Sequence, residues 1–356
     1  MNNYQSFFIS ISMKKLYILT LIFLLSFLSS CQEKDIITSN VYVDSESYIV
    51  MDAKTHRVLD GRNIHKKMLP ASITKILTCI TVLNNYSIED IITINEDMTK
   101  IDGSRIYLEV GDVITVEDLL YGLMLSSGND ASIALAIGLA GSIENFTYLM
   151  NEECKIIGMK NSTFENPNGL DENSKNYTTA YDMGLLMSYS LQNHIFRKIV
   201  STKEHKTTII SDKKMYFYNK HKLVQNNEYA TGGKTGYTKK AGRTLVTSFK
   251  KDTFEVIICT MNGSNDWESH EQLATKTFND FKQETIISLF ALNNNLLCYG
   301  KYSITQKDLL FPIRVDENIK DFKIKIQLID NDVVIKYYKE EELITSFILE
   351  NKKIND

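Results

Sequence analysis

The chain has 356 residues, of which 43% are hydrophobic and 24% are charged, so it contains enough apolar side chains for a substantial core. Its length exceeds that of a typical single domain and predicts one large domain with a smaller one. The formal net charge of −4 provides no basic surface of the kind that phosphate backbones require, which excludes nucleic acid as an expected partner.

The cysteines and histidines are scattered along the chain. The five cysteines include no CxxC pair and are odd in number, so they predict neither a zinc site nor a disulfide framework. None of the six histidines stands in a metal-binding spacing such as HExxH. We therefore expect no metal and no cofactor.

Residues 1–31 have the features of an export signal. Lys14 and Lys15 precede an apolar run, residues 16–28, which fits a signal sequence better than a full membrane span. The run ends in Ser29, Ser30 and Cys31, which resembles the lipobox of bacterial lipoproteins, where the cysteine is lipidated and becomes the mature N-terminus. An ordinary cleaved signal or an uncleaved anchor is the alternative. We expect the rest of the chain to be exported and held at the outer face of the cytoplasmic membrane through lipid on Cys31.

The next segments predict a sheet, a buried helix and then a helical region. Residues 47–59, SYIVMDAKTHRVL, read as two short strands around a polar turn. Apolar residues then recur at helical spacing, which predicts a buried helix beginning near Ser72. Thr115 and Asp118 form a helix-start signal, and the loop SSGND, residues 126–130, separates two further apolar helices. Helical spacing resumes at residues 180–191, after the turn-rich segment NPNGLD.

The second half of the chain is richer in strands. RTLVTSF and TFEVIICTM predict an antiparallel hairpin, followed by a polar helix at about residues 268–283. Beyond residue 286, short alternating runs such as KIKIQLI, DVVIKYY and LITSFIL predict a small β domain. The expected fold is an α/β sandwich of an antiparallel sheet with flanking helices and an all-helical insertion. The expected divisions are a signal at 1–31, a main domain at 32–285 and the β domain at 286–356.

Ser72 and Lys75 are the first candidates for chemistry. Residues three apart on a helix share a face, so the Lys75 amine can reach the Ser72 hydroxyl as a base. The helix N-terminus and apolar surroundings both disfavour a charged lysine and lower its pKa. The spacing SxxK also occurs at Ser12, Ser211 and Ser248, but only the copy at Ser72 opens a strongly apolar helix.

Two further motifs follow. Ser127, Gly128 and Asn129 lie on the predicted loop between two buried helices, where such residues also serve as turn and capping residues. A chemical role would make Ser127 a proton relay to a leaving amine and Asn129 a ligand of the substrate backbone or of Lys75. Lys234, Thr235 and Gly236 either form a glycine-rich turn entering a strand or present a sheet edge to a peptide, with the first two binding its carboxylate.

The ordered set SxxK, SGN and KTG resembles that of penicillin-binding proteins and class A β-lactamases. The surrounding segments PASITKILT, LMLSSGNDAS, FENPNGLDENSKNYTTAYDM and GGKTGYTKKAGRTLV look like those of the low-molecular-mass D-alanyl-D-alanine carboxypeptidases over residues 48–281. The resemblance implies a penicillin-binding fold and an acyl-enzyme on Ser72. The implied substrates are peptidoglycan stem peptides, and the implied inhibitors are β-lactams.

The same resemblance implies roles for individual residues. Lys75 would be the base for Ser72, and Ser127 with Lys234 would carry protons to the departing D-alanine. Thr235 would bind the terminal carboxylate, beside Gly236. The backbone N–H groups of Ser72 and Tyr237 would form the oxyanion hole.

The sequence departs from the family at three positions. Many relatives carry a histidine where this chain has Asn168, and an NxN pattern where it has NKH at 219–221. An arginine that binds carboxylate in some relatives has no match at 263–267, and Arg243 is the candidate substitute. The end of the chain, ELITSFILENKKIND, also differs from the C-terminal amphipathic helix that anchors many relatives.

Other functions share these motifs. A class A-like β-lactamase would need a glutamate for deacylation, and Glu165 is the candidate, although it lacks the usual setting. A non-catalytic penicillin-binding sensor would keep every motif without turnover. Transpeptidase or endopeptidase activity would use the same acyl-enzyme with another acceptor.

Overall fold

The computed structural model describes residues 41–172, 176–287, 302–303, 309–329, 332–349 and 352–353. The described residues belong to one compact unit. The predicted signal and Cys31 lie outside the described residues.

The strands and helices are numbered along the chain. The strands are β1 (Ser45–Asp52), β2 (Val58–Arg62), β3 (Ile91–Thr93), β4 (Val113–Thr115), β5 (Glu204–Thr208), β6 (Lys214–Tyr218), β7 (Ala230–Thr238), β8 (Gly242–Lys251), β9 (Phe254–Gly263), β10 (Phe281–Ile287), β11 (Tyr302–Ser303), β12 (Leu309–Arg314), β13 (Phe322–Ile329), β14 (Asp332–Lys339), β15 (Glu342–Leu349) and β16 (Lys352–Lys353). The α-helices are α1 (Lys75–Asn85), α2 (Val116–Leu125), α3 (Asn129–Ala140), α4 (Ile143–Ile157), α5 (Ala180–Ser190), α6 (His194–Ser201), α7 (Lys222–Asn226) and α8 (Asp266–Asp280).

Five antiparallel strands form the central sheet, in the order β2-β1-β9-β8-β7. Its two faces are covered by different helices, because alternate residues of a strand point to opposite sides. Ile49 and Met51 of β1 belong to the core shared with α1 and α5, whereas Tyr48 and Val50 pack with Leu273 of α8. The predicted sandwich of an antiparallel sheet between helices is confirmed.

The region between α1 and β7 is mainly helical but also contains two antiparallel pairs, β3 with β4 and β5 with β6. The expectation of an all-helical insertion is therefore too simple. In the hairpin of β5 and β6, buried Met215 and Phe217 alternate with exposed neighbours, and this period of two forms a strand rather than a helix.

The predicted hairpin of β8 and β9 and the alternating strands β13, β14 and β15 are present. The helix expected at 268–283 runs instead over 266–280, because Phe281 begins β10, which pairs with β12. The predicted boundary at 285/286 falls within β10 and stays a prediction. Among the described residues, no single helix is long and apolar enough to cross a bilayer. The helices α3 and α4 together have sufficient length and apolar composition, but they meet at an angle of 93°.

Candidate active site

Ser72 and Lys75 lie at the start of the buried helix, as expected. Ser72 occupies a 3-10 turn, Ala71–Thr74, that runs directly into α1. The Nζ atom of Lys75 lies 3.0 Å from Ser72 Oγ. The turn is anchored from the sheet, because the Thr244 hydroxyl of β8 donates to the Pro70 carbonyl at 2.9 Å. The nucleophile candidate therefore stands at the junction between sheet and helices.

Lys75 is completely buried and has only neutral hydrogen-bond partners. Besides Ser72, its Nζ atom donates to Asn129 Oδ1 at 2.8 Å and to the Asn168 carbonyl at 2.7 Å. Burial, followed by the positive charges of Lys234 and Lys220, holds the pKa of Lys75 well below its usual value of 10.5. This environment favours the neutral amine, which is the form that accepts a proton.

Ser127 and Lys234 form a second hydroxyl and amine pair. The Nζ atom of Lys234 donates to Ser127 Oγ at 3.0 Å and to the Thr235 carbonyl at 2.8 Å. Burial, with a contribution from the charge of Lys220, lowers the pKa of Lys234 to about 7. Ser127 adopts a left-handed conformation with φ of 61°, which accommodates the sharp turn between α2 and α3. Lys234 can therefore carry or release a proton near neutral pH, next to the Ser127 hydroxyl.

The strand carrying Lys234 is an edge of the central sheet and runs beside Ser72. A Cβ atom at Gly236 would lie 2.3 Å from Thr244 Oγ1 and 2.9 Å from the Ser72 backbone nitrogen. Only glycine fits this approach, which places the backbone of β7 next to that of Ser72. Thr235 is half-buried, and Tyr237 is 65% exposed. The free edge of β7 is thus available to an extended peptide.

Asn129 holds Lys75 rather than pointing freely into the site. Its Oδ1 atom accepts from Lys75, while its Nδ2 atom donates to the Asp102 carbonyl at 2.6 Å. Its backbone N–H also donates to the Ser104 carbonyl at 2.7 Å. Of the two roles expected from the sequence, the geometry favours positioning of Lys75.

Three contributors were missed by the sequence analysis. The carbonyl of Asn168 anchors Lys75, and the neighbouring Gly169 has φ of 87°. A Cβ atom at Gly169 would lie 1.9 Å from the Ala71 carbonyl oxygen. The buried carboxylate of Asp130 accepts from the backbone N–H groups of Ile106 and Leu108 and so fixes the segment beside the SGN loop. The turn formers in NPNGLD and the acid following SGN were the available signals.

The structure also shows the contacts of Asn168 and His221, at which the sequence differs from the family pattern, and of Arg243, the candidate substitute for the missing arginine. The Asn168 side chain accepts from the Leu170 backbone N–H at 2.8 Å. His221 is buried, with Nε2 3.2 Å from the Val246 carbonyl, and burial lowers its pKa to about 3. Arg243 forms an ion pair with Asp266, with Nη2 2.8 Å from Oδ1, so its guanidinium is already held by α8.

A groove of about 820 Å³ adjoins the site. Its lining includes Asp102, Arg105, Glu165, Asn168 and Leu170. Glu165 is exposed there, whereas Lys75 Nζ is held by three neutral groups, Ser72 Oγ, Asn129 Oδ1 and the Asn168 carbonyl. A class A-like β-lactamase requires a carboxylate next to the reacting groups, and the described hydrogen-bond partners of Lys75 include none. In the part of the chain that the structure describes, no cluster of residues is suited to holding a metal ion.

Comparisons with known proteins show the family to which the chain is similar. Residues 34–265 match the family model of the D-alanyl-D-alanine carboxypeptidases, peptidase family S11. The chain is 30% identical to D-alanyl-D-alanine carboxypeptidase DacF of Bacillus subtilis, over 83% of this chain and 79% of that protein. It is 34% identical to DacC of Escherichia coli, over 69% of this chain and 64% of that protein. The crystal structure of penicillin-binding protein 6B from Escherichia coli superimposes with a TM-score of 0.68 at 25% identity, covering 89% of this chain and 99% of the other.

Proposed function

Since the chain belongs to the D-alanyl-D-alanine carboxypeptidase family, we propose that it removes the terminal D-alanine of peptidoglycan pentapeptide stems through an acyl-enzyme on Ser72. The observation that carries this proposal is the 3.0 Å contact between Ser72 Oγ and the buried amine of Lys75. A neutral lysine at that distance can act as the general base for the Ser72 hydroxyl. The hydroxyl needs such a base because it is protonated at neutral pH and is then a weak nucleophile.

Acylation begins when Lys75 takes the Ser72 proton and Ser72 Oγ attacks the carbonyl carbon between the two D-alanines. The backbone N–H groups of Ser72 and Tyr237 stabilise the oxyanion. The close approach of Gly236 to the Ser72 nitrogen supports this assignment, because it brings the two backbone segments together.

The bond between the carbonyl carbon and the D-alanine nitrogen then breaks. The leaving nitrogen receives a proton from the Ser127 hydroxyl, which Lys234 replenishes across their 3.0 Å contact. Thr235 and Lys234 bind the terminal carboxylate, with the stem extended along β7 beside Gly236. Water subsequently attacks the acyl carbon and gives up a proton to Lys75. The bond between that carbon and Ser72 Oγ breaks as Lys75 returns a proton to the oxygen, which releases the shortened stem. No step requires a metal or cofactor.

β-Lactams mimic the scissile amide and acylate the same hydroxyl. Labelling with a fluorescent penicillin, followed by peptide mapping, tests the nucleophile directly. We expect the label on Ser72 and no label in Ser72→Ala. Attachment to any other serine would contradict the assignment.

Turnover separates the remaining alternatives. We expect wild type to release D-alanine from diacetyl-Lys-D-Ala-D-Ala and Ser72→Ala to release none. A labelled wild-type protein without release would be a penicillin-binding sensor, and rapid repeated hydrolysis of nitrocefin would indicate a β-lactamase. Transfer of the acyl group to an added amino acceptor in preference to water would indicate a transpeptidase.

We also propose that the exported chain is held at the outer face of the cytoplasmic membrane by lipid on Cys31. The support is the basic start, the apolar run and the small residues before Cys31. Two or more acyl chains would be needed for stable attachment. Cys31→Ala should release the protein from the membrane fraction, and globomycin should block its processing. Unchanged fractionation and processing would favour an ordinary signal or an uncleaved anchor.

A further inference from the structure

The three-stranded sheet of β13, β14 and β15 has one buried and one outward face. Phe322, Ile335, Tyr337 and Thr345 are buried on the inner face. Tyr337 stacks on Phe311 with ring centroids 4.3 Å apart, and the Thr345 hydroxyl donates to the Thr55 carbonyl at 2.5 Å. The inner face is therefore fixed to the body of the protein, and the other face points away from it.

The outward face carries three lysines. Directly opposite residues in an antiparallel ladder share a face, and the register pairs Lys323 with Tyr338, Lys325 with Lys336, and Tyr338 with Leu343. We call these five residues the lysine face. No described carboxylate forms an ion pair with its three ammonium groups, and the glutamates at 340–342 lie at the β14–β15 turn, where Glu342 pairs in register with Lys339. The face therefore concentrates positive charge on a chain whose net charge is −4.

The opposed lysines destabilise the protein in the absence of a partner. Like charges placed directly opposite in a sheet repel, and Lys325 and Lys336 are such a pair. The ammonium group of Lys325 lies 4.7 Å from the centre of the Tyr338 ring, a contact that opposes the repulsion. An anionic partner would remove the rest.

We propose that the lysine face docks on the surface of a bilayer that contains anionic lipid. Lysines attract the head groups, while Tyr338 and the 48% exposed Leu343 offer amphipathic and apolar contact at the interface. The three lysines lie on the same face of the sheet, so one surface can meet all of them. The inference rests on the export of the chain, as part of the proposed function, but not on its catalytic activity.

Vesicle binding tests the proposal with the full chain. Wild type, the triple variant Lys323→Gln/Lys325→Gln/Lys336→Gln and a control, Lys67→Gln/Lys160→Gln/Lys251→Gln, are sedimented with phosphatidylcholine vesicles with and without phosphatidylglycerol. The control removes the same net charge from exposed lysines elsewhere. Residues 1–35 contribute equally to all three proteins, so binding to the neutral vesicles provides the baseline.

We expect phosphatidylglycerol to raise the vesicle partition coefficient of wild type and control. On these anionic vesicles the partition coefficient of the triple variant should be roughly 100-fold lower than that of wild type, equivalent to about 1 kcal/mol for each lysine. Added salt should reduce the gain. No response of wild type to phosphatidylglycerol, or an equal loss in the control, would overturn the proposal. Stronger capture by soluble poly(glycerol phosphate) than by anionic vesicles would also overturn it, in favour of a wall polymer.

Thermal unfolding provides a second readout. Lys336→Gln should raise Tm without lipid, because it removes the repulsion from Lys325, and anionic vesicles should abolish that advantage. An unchanged or lower Tm would contradict the repulsion. The triple variant should release D-alanine in solution at the wild-type rate. Failure of wild type to release D-alanine would contradict the proposed activity without altering the partition result.

Discussion

The Nζ atom of Lys75 lies 2.7 Å from the backbone carbonyl of Asn168, which comes from a loop 93 residues further along the chain. This contact, together with Asn129, leaves the amine positioned toward Ser72. The reactive pair is local in sequence, but its geometry depends on a distant turn.

The first prediction concerns that turn. Gly169→Ala would place a Cβ atom 1.9 Å from the Ala71 carbonyl oxygen, so the loop must move and carry the Asn168 carbonyl away from Lys75. We expect the rate of Ser72 acylation by fluorescent penicillin to fall roughly 100-fold, because misplaced catalytic groups are costly.

Gly158→Ala is the matched control. Gly158 has the same φ of 87°, but a Cβ atom there meets nothing within 4 Å. The control should lose about 1 kcal/mol of stability and retain wild-type acylation. Equal acylation rates for the two variants would show that the Gly169 turn does not position Lys75.

The second prediction concerns the pH dependence of kcat/KM. After burial, the charge of Lys220 contributes to the lowered pKa values of both Lys75 and Lys234. Removing that charge should raise both pKa values. With neutral Lys75 as base and protonated Lys234 as donor, the acidic and alkaline limbs of the profile should both move to higher pH in Lys220→Gln.

Lys220→Arg retains the charge and should keep the wild-type profile. The measurement is D-alanine release over a pH series at constant ionic strength. A profile of Lys220→Gln that coincides with wild type would rule out electrostatic tuning by this residue.

The third prediction concerns two buried histidines. His221 Nε2 lies 3.1 Å from Thr247 Oγ1, which lies 2.8 Å from His270 Nδ1. Burial lowers the pKa of His221 to about 3 and that of His270 well below 6.5. Below pH 6.5 the unfolded chain therefore binds protons that the native state excludes.

Each histidine should thus reduce the free energy of unfolding by up to about 1.4 kcal/mol per pH unit as the pH falls below 6.5. His270→Gln should give a shallower dependence than wild type in urea unfolding at a series of pH values. His194→Gln, at an exposed position, is the control variant. A slope for His270→Gln equal to that of wild type would contradict the assignment.

The fourth prediction concerns Arg57, which links the β1–β2 turn to the C-terminal strands. Its guanidinium lies 3.1 Å from Glu317 Oε2, donates to the Pro312 carbonyl, and lies 5.2 Å from the ring centres of Phe311 and Phe322. Arg57→Gln should destabilise the protein by about 3 kcal/mol, because Glu317 is largely buried and, among the described residues, keeps Lys339 as its one remaining ion-pair partner.

Urea unfolding measures the loss, and limited proteolysis reports whether the C-terminal strands become accessible. The exposed pair Lys66 and Glu46 provides the comparison, since Lys66→Gln should cost less than about 1 kcal/mol. A loss for Arg57→Gln no larger than for Lys66→Gln would show that the buried contacts do not secure the C-terminal strands.

Much of the fold was predictable from local patterns. The alternation in RTLVTSF and TFEVIICTM predicts β8 and β9, and Thr115 caps α2 by accepting from the Asp118 backbone N–H. The errors arose where long-range packing prevails over local preference. The polar helix ends at Asp280 because Phe281 begins β10, which pairs with β12. Likewise, β5 pairs with β6 inside a region that was expected to be only helical.

The sequence by itself determined which chemical groups this protein brings to the reaction, because SxxK, SGN and KTG are short patterns whose order and settings identify hydroxyls and amines. Only the tertiary structure decided how they act together. Lys234 meets Ser127 across 107 residues, and the lowered pKa values of Lys75 and Lys234 follow primarily from burial. The apolar helix start indicated only that the pKa of Lys75 should be lowered. The charges of Lys234 and Lys220 act on it through segments packed from the whole domain, so no local pattern contains their contribution.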